Sequence, residues 1–162
     1  MQSCFVIQPF NTTFNKRYDD VFELAIKNAN LEPYRVDRDP SASILIDSIE
    51  SEIKKSAICF ADITEDNPNV WYELGFAFAT GKQVIMVCAE NRVGNKFPFD
   101  IQHRHVITYK TESISDFSKL QNEITTRIKA ALEQQENIEF ISASDNLAPI
   151  EGLDQKELLV LT

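Results

Sequence analysis

Short continuous apolar runs alternate along this chain with longer stretches whose apolar residues recur every three or four positions. Continuous runs are typical of strands buried on both faces, and the periodic stretches are typical of helices with one apolar face. The pattern predicts strands at 4–7, 34–36, 57–63, 83–88 and 105–109. It predicts helices at about 16–30, 43–55, 68–80 and 115–135, and a long loop at 89–102.

This alternation of strands and helices predicts βαβ units, and therefore a parallel sheet that helices cover on both faces. The expected fold class is α/β, with a flavodoxin-like, doubly wound sheet of five parallel strands in the order 2-1-3-4-5. Ligands of such sheets bind beyond the carboxyl ends of the strands, where the strand order reverses. The candidate binding loops are therefore the segments after the first four predicted strands, residues 8–11, 37–39, 62–69 and 90–100.

The last part of the chain has a different pattern from the first 135 residues, which are predicted to form one α/β domain. Residues 136–152 are interpreted as an extension and a linker, with 138–140 as a further short strand or a packed extension. Residues 153–162 have the pattern of a helix start, with Asp154 as N-cap and Glu157 as its capping-box partner. Because this stretch is apolar at its end, we expect it to dock on the core or on a second copy, or to lead into a second domain.

The charge balance argues against two classes of partner. The net charge is −9, whereas nucleic acids and anionic membranes attract basic surfaces, so we expect neither as a partner. No apolar run reaches the roughly 18 residues of a membrane-spanning helix, and no signal peptide is evident. Cys4, Cys59 and Cys88 lie in separate strand-like runs without zinc-type spacing. We therefore expect reduced core thiols and a cytoplasmic protein.

The predicted helix after the third strand holds the main candidate for chemistry. Asn67 is a good N-cap, and Pro68 suits the first helical turn. Within 70–79 only Glu73 is charged, and a helix that is apolar almost all round is usually buried. We therefore expect Glu73 to point into a cleft, with a structural glutamate bonded to the preceding loop as the alternative. Asp62 ends the third strand and is expected near the same cleft, with capping of the next loop as its alternative role.

Two carboxylates at one cleft can divide the roles of nucleophile or charge stabiliser and of acid or hydroxyl ligand. Cleavage of an N-glycosidic bond needs an ionised carboxylate, because its transition state resembles an oxocarbenium ion. Glu73 and Asp62 are therefore the candidate catalytic residues.

Residues of the candidate loops have side chains suited to binding a nucleotide. Asn67 and Asn69 can bind a ribose or a base, although capping also explains Asn67, and Tyr72 can stack on a base. Arg38 can meet a phosphate, with a surface ion pair as the alternative. No metal site or bound cofactor is expected, since the dinucleotide, P-loop and zinc-peptidase motifs do not occur in the sequence. The full candidate set is Gln8, Phe10, Asp37, Arg38, Asn67, Asn69, Tyr72, Phe99 and Asp100.

The sequence ADIT at 61–64, followed by NPNVWYELGFA at 67–77, resembles bacterial domains related to nucleoside 2-deoxyribosyltransferases and to Toll/interleukin receptor (TIR)-like domains. The resemblance covers residues 4–132. It implies that Glu73 is the nucleophile or oxocarbenium stabiliser, that Asp62 orients sugar or base, and that Gln8 and Phe10 line the pocket. It also implies NAD or another nucleotide as substrate or ligand, and use as a sensing or effector module, often in defence against phage.

Three hypotheses about function follow from these observations. The first is an enzyme that cleaves or transfers at a nucleotide N-glycosidic bond, either NAD hydrolase-like or deoxyribosyltransferase-like. The second is a module that senses a nucleotide in the same cleft without chemistry. The third is a self-assembly domain, and a homo-oligomer is expected.

Overall fold

The structure is a computed structural model of the chain. It describes residues 1–40, 45–93, 97 and 99–145, and at 45, 99–100 and 143–145 it describes the backbone alone. By its contacts the chain divides into two units, Met1–Leu132 and Glu133–Thr162.

The described residues alternate between strands and helices as the sequence pattern predicts. The strands are β1 (Ser3–Ile7), β2 (Glu32–Tyr34), β3 (Ile58–Asp62), β4 (Val84–Ala89) and β5 (Val106–Tyr109). The α-helices are α1 (Thr12–Arg17), α2 (Glu23–Asn28), α3 (Leu45–Lys55), α4 (Pro68–Ala79), α5 (Phe99–Gln102) and α6 (Ile114–Asp145). A π-helical turn, Tyr18–Phe22, joins α1 to α2, and a 3-10 turn, Val36–Arg38, follows β2.

The five strands form one parallel sheet in the order β2-β1-β3-β4-β5. This confirms the predicted doubly wound α/β fold with its order 2-1-3-4-5. β1 is paired on both sides, because Phe5 lies opposite Tyr34 of β2 on one side and opposite Cys59 of β3 on the other. The strand order reverses between β1 and β3, so their carboxyl ends mark the switch point of the sheet.

Each face of the sheet has its own apolar core. On one face, Val6 and Phe60 pack with the helical segment 18–29 and with Leu120, Ile124 and Ile128 of α6. On the other face, Ile7 and Ala61 pack against α3 and α4. The two faces are called here the α1–α6 face and the α3–α4 face. Burial on both faces explains why these strands are continuous apolar runs in the sequence.

Helix α4 forms as its sequence predicts. The Asn67 side chain accepts hydrogen bonds from the backbone N–H groups of Asn69, at 2.9 Å, and Val70, at 3.3 Å. Pro68 occupies the first turn, where its missing N–H group leaves no bond unmade. The helix stops at Ala79, and Gly81 follows the cap residue Thr80 with a φ of 75°, a conformation that glycine adopts without strain.

Several elements differ from the predicted ones. The first helix begins at Thr12 instead of about 16, because Asn11 caps it by accepting from the N–H of Phe14 at 3.2 Å. β2 begins and ends two residues early, since its register is set by Glu32 pairing with Ser3. The predicted loop 89–102 contains the short helix α5. Residues 138–140 are helical within α6, so the alternative of a strand there is wrong.

The second unit is described only at residues 133–145, which are helical. Ile138, Phe140 and Ile141 are exposed there. Most of the predicted linker and the whole of the predicted helix start at 153–162 lie outside the described residues. Across the described part of the chain, no helix combines the length and apolar character that crossing a membrane requires.

Candidate functional site

Glu73 lies in the second turn of α4, within the helix face that packs on the sheet. Val70, Leu74 and Ala77 are the buried apolar residues of that face, and their spacing places Glu73 among them. Glu73 is only 3% exposed, and no described residue forms a hydrogen bond or an ion pair with its carboxylate. A buried carboxylate without a partner is unusual, so this position is a candidate functional site.

The surroundings of Glu73 disfavour its ionised form. Burial raises its pKa, and the negative charge of Asp37 raises it further, to about 7. Burial raises the pKa of the Cys59 thiol on β3 to about 12. The positive charge of Lys82 opposes this rise, and the charge of Glu73 adds to it. The pKa of Glu73 therefore lies far closer to neutral pH than that of an ordinary glutamate, which suits a group that must gain or bear charge during a reaction.

Asp37 is held rigidly by a buried arginine. Arg35 donates from Nε to Oδ1 of Asp37 at 3.0 Å and from Nη2 to Oδ2 at 2.6 Å, a bidentate pair. The same Nη2 donates to Oδ1 of Asn15 on α1 at 2.7 Å. Arg35 lies over the rings of Tyr18, at 4.7 Å, and Phe10, at 5.7 Å. These contacts join the loop after β1, the first helix and the turn after β2 at one end of the sheet.

Arg35 is the functional candidate that the sequence analysis missed. It lies inside the predicted strand 34–36, and its only signal was a charged residue between Tyr34 and Val36. Its side chain is 1% exposed, and Nη1 is buried without a hydrogen-bond partner among the described residues. Nη1 of Arg35 is therefore an unexplained buried donor next to Asp37, the residue whose charge raises the pKa of Glu73.

Asp62 lies on the α1–α6 face, whereas Glu73 packs on the α3–α4 face. Its Oδ1 accepts from the N–H of Thr64 at 3.0 Å and from the Thr64 hydroxyl at 2.5 Å, and its Oδ2 accepts from the hydroxyl of Tyr109 at 2.8 Å. Arg17 adds an ion pair at 3.6 Å. Complete burial raises the pKa of Asp62, and the bonds from Thr64 and Tyr109 oppose that rise. The structure thus satisfies Asp62 within the fold and does not bring it together with Glu73.

Three predicted binding residues lie on or just before α4, and the side chains of two of them are engaged elsewhere. Asn67 caps the helix, which is the alternative role considered above, and Asn69 is exposed. Tyr72 is 45% exposed and donates its hydroxyl to Glu50 of α3 at 2.6 Å. No described side-chain contact ties any of the three to Glu73.

Gln8, Phe10 and Arg38 follow the ends of β1 and β2. Gln8 is buried and donates from Nε2 to the carbonyl of Phe14 at 3.2 Å, while its Oε1 has no partner among the described residues. Phe10 is 43% exposed beside Arg35. Arg38 pairs with Asp19 at 2.6 Å, the surface ion pair considered as its alternative role. The side chains of Phe99 and Asp100 lie outside the described part.

A separate cleft of about 460 Å³ lies at the carboxyl ends of β1, β3 and β4. Its lining includes Arg17, Thr64, Asp66 and Arg92, but neither Glu73 nor Asp37. Arg17 is engaged with Asp62 and Tyr109, and Arg92 pairs with Asp66 at 2.6 Å. The cleft is thus distinct from the surroundings of Glu73 and Asp37.

No protein-family model matches the chain, and no curated protein sequence matches it. Solved structures do match. A CMP N-glycosidase from Clostridium botulinum, BcmB, aligns over 74% of this chain and 97% of its own, with 19% identity and a TM-score of 0.53. The TIR domain of the Toll-related receptor TRR-2 from Hydra magnipapillata aligns over 82% and 99%, with 11% identity and a TM-score of 0.60.

A flavin protein shares the architecture as well. The diflavin flavoprotein A3 from Nostoc sp. aligns over 86% of this chain and 99% of its own, with 11% identity and a TM-score of 0.56. At these identities the likenesses concern the fold alone. They show that the chain has a doubly wound α/β fold similar to those of an N-glycosidase, a TIR domain and a flavoprotein.

Proposed function

We propose that the protein binds a nucleotide beside Glu73 and cleaves or transfers at its N-glycosidic bond, with Glu73 as the catalytic carboxylate. The observation that carries this proposal is the burial of Glu73 without any hydrogen-bond or ion-pair partner among the described residues. A buried carboxylate without a partner among the described residues can have its compensation in a ligand, here the positive charge of a sugar in its transition state.

In this chemistry Glu73 acts on the sugar carbon C1′. The bond between C1′ of the sugar and the base nitrogen breaks, and its electron pair leaves with the base. The ionised carboxylate of Glu73 stabilises the oxocarbenium-like centre or forms an ester with C1′. Water then attacks C1′ in hydrolysis and gives its proton to solvent, whereas a second base attacks C1′ in transfer. Where the ester has formed, this attack breaks the bond between C1′ and Glu73, and Glu73 leaves as a carboxylate.

The neighbours of Glu73 favour a base that leaves without first receiving a proton. Among the described residues, the groups whose charges couple to Glu73 are Asp37, whose two oxygens both accept hydrogen bonds from Arg35, and the thiol of Cys59, whose pKa burial raises to about 12. Neither is suited to act as a general acid near neutral pH. The nicotinamide of NAD leaves as a neutral base with no proton required, so NAD is the first substrate to test, and CMP is the second because BcmB is a CMP N-glycosidase.

The test is base release by the wild type and by Glu73→Gln. Purified protein at high concentration is incubated with NAD, CMP and deoxynucleosides, and free base is measured by chromatography. We expect release from at least one of these compounds, and a fall of about a thousandfold or more in Glu73→Gln. Glu50→Gln on α3 is the matched control, because Glu50 bonds to Tyr72 and should leave the rate unchanged.

The competing roles give different outcomes in the same assay. Release that persists in Glu73→Gln contradicts the proposed catalytic residue. Saturable binding of a nucleotide that stays intact at every enzyme concentration supports a sensing module instead. A change in oligomeric state without nucleotide binding supports the self-assembly role.

A further inference from the structure

Asp37 is a fixed carboxylate with acceptor capacity left over. Each carboxylate oxygen offers about two lone-pair sites, and Arg35 takes one site on each oxygen of Asp37. The side chain of Asp37 is 26% exposed, so the remaining sites are open to a ligand, while that of Arg35 is 1% exposed. Because Arg35 is clamped by Asn15 and the rings of Phe10 and Tyr18, the position of Asp37 is set before any ligand binds.

Asp37 is also close to the proposed catalytic group. Its neighbour Val36 packs in the same apolar cluster as Val70 and Leu74, which flank Glu73 on α4. Helix α3 packs against both the turn Val36–Arg38 and α4. The charge of Asp37 reaches Glu73 strongly enough to raise its pKa. A sugar whose C1′ lies at Glu73 therefore has Asp37 at its side.

The chemistry of this arrangement suits hydroxyl groups better than phosphate. An ionised carboxylate only accepts hydrogen bonds, and two neighbouring carboxylates repel an anion. Vicinal hydroxyls are paired donors that can bind the two oxygens of one carboxylate. In dinucleotide-binding α/β sheets, an acidic residue after the second strand binds ribose hydroxyls, and Asp37 follows β2.

We propose that Asp37 accepts hydrogen bonds from the 2′- and 3′-hydroxyls of a bound ribose, and so selects ribonucleotides over 2′-deoxyribonucleotides. This inference rests on the proposed function, because it assumes that the sugar lies between Asp37 and Glu73. It narrows the substrate class to ribose-containing nucleotides. It also gives the second carboxylate of the site a positioning role that Asp62, on the other face, does not have.

The test measures binding, so that it is independent of turnover. Glu73→Gln protein is titrated calorimetrically with NMN and with the four ribonucleoside monophosphates, and then with the 2′-deoxy and 3′-deoxy counterparts of the four monophosphates. We expect at least one ribonucleotide to bind about tenfold or more tightly than its 2′-deoxy form. Adding Asp37→Asn should reduce that ratio to about one, because it weakens binding of the ribonucleotide more than binding of the 2′-deoxynucleotide, which has only its 3′-hydroxyl to lose.

Asp19→Asn is the matched control, because Asp19 pairs with Arg38 on the outer side and its loss should leave the ratio unchanged. Equal affinities for ribo and deoxy forms, no binding of any monophosphate, or a ratio that survives Asp37→Asn would overturn the inference. The comparison of ribonucleotides with deoxynucleotides needs no change at Asp37. It therefore tests the predicted selectivity even if Asp37→Asn does not fold. Base release by the wild type tests the proposed function separately, because a selective site that releases no base contradicts only the catalytic role.

Discussion

At the scale of single residues, the sequence predicted Glu73 correctly as a buried acid but did not predict its neighbours. A lone charge in an otherwise apolar helix is visible in a pattern of hydrophobic positions, and the structure buries it as expected. Arg35 was not visible in this way, because it lies within the predicted strand 34–36. Its burial depends on Asn15, Tyr18 and Asp37, which the fold brings together from separate segments.

The pH dependence of base release follows from the surroundings of Glu73. Its pKa is about 7 because burial and the charge of Asp37 both oppose ionisation, and catalysis needs the ionised form. We therefore expect kcat to rise with pH through about 7 and to level off above it, falling about tenfold per pH unit on the acid side. In Asp37→Asn the midpoint should move to lower pH, since a like charge has been removed.

The measurement is kcat at saturating substrate from pH 5 to 9, so that weakened binding in Asp37→Asn does not enter. Asp19→Asn should keep the wild-type midpoint, because Asp19 pairs with Arg38 and is not among the groups that shift Glu73. A midpoint near the ordinary glutamate value, or a shift to higher pH in Asp37→Asn, would contradict the assignment of this pH dependence to Glu73.

At the scale of helices and strands, the main difference from expectation is that Asp62 and Glu73 belong to different faces of the sheet. Alternation along β3 decides the face, since Phe60 packs on the α1–α6 face and Ala61 on the α3–α4 face. A strand buried on both faces has no alternation of apolar and polar residues. The sequence pattern therefore located the end of the strand but did not show which face Asp62 joins.

The bonds of Asp62 predict a structural role that can be measured. The hydroxyl of Tyr109 on β5 donates to Asp62 and accepts from Arg17 of α1, so Tyr109→Phe removes one hydrogen bond from each of these two groups. We expect a loss of about 1–3 kcal/mol in the free energy of unfolding, from denaturant titration. Tyr72→Phe removes an exposed hydroxyl that bonds to Glu50, and should change the free energy of unfolding by less than about 0.5 kcal/mol. Equal effects of the two substitutions would show that the bonds of Tyr109 to Asp62 and Arg17 add little to the stability of the fold.

At the scale of the whole molecule, the alternation of strands and helices was sufficient to predict the sheet order. Parallel strands need crossover helices, and few topologies satisfy that requirement in a small domain. The boundaries of α1 and β2 were not predicted, because they depend on the Asn11 cap and on pairing of Glu32 with Ser3 across the sheet. Two expectations stay predictions: that nucleic acids and anionic membranes are not partners, and that the chain forms a homo-oligomer.

Glu73 also affects the stability of the whole fold. Its carboxyl group holds a proton up to about pH 7 when folded but only to about pH 4.5 when unfolded, so unfolding releases a proton between these values and becomes easier as pH rises. Glu73→Gln lacks this effect. We expect it to match the wild type near pH 4.5 and to exceed it by about 3 kcal/mol above pH 7, in denaturant titrations across this range. A difference that stays constant with pH would mean that the pKa of Glu73 is ordinary in the folded state.

The π-helical turn at Tyr18–Phe22 has a consequence for comparing this chain with others. Such a turn holds one more residue than a regular helical turn, so the residues before it are rotated by about 100° relative to the residues after it. Asn15 and Arg17 precede the turn, whereas Ala25 and Ile26 follow it. An alignment with a relative whose first helix is regular therefore needs a one-residue gap inside this turn. Without that gap, the counterparts of the residues that contact Arg35 and Asp62 would be assigned one position out of place.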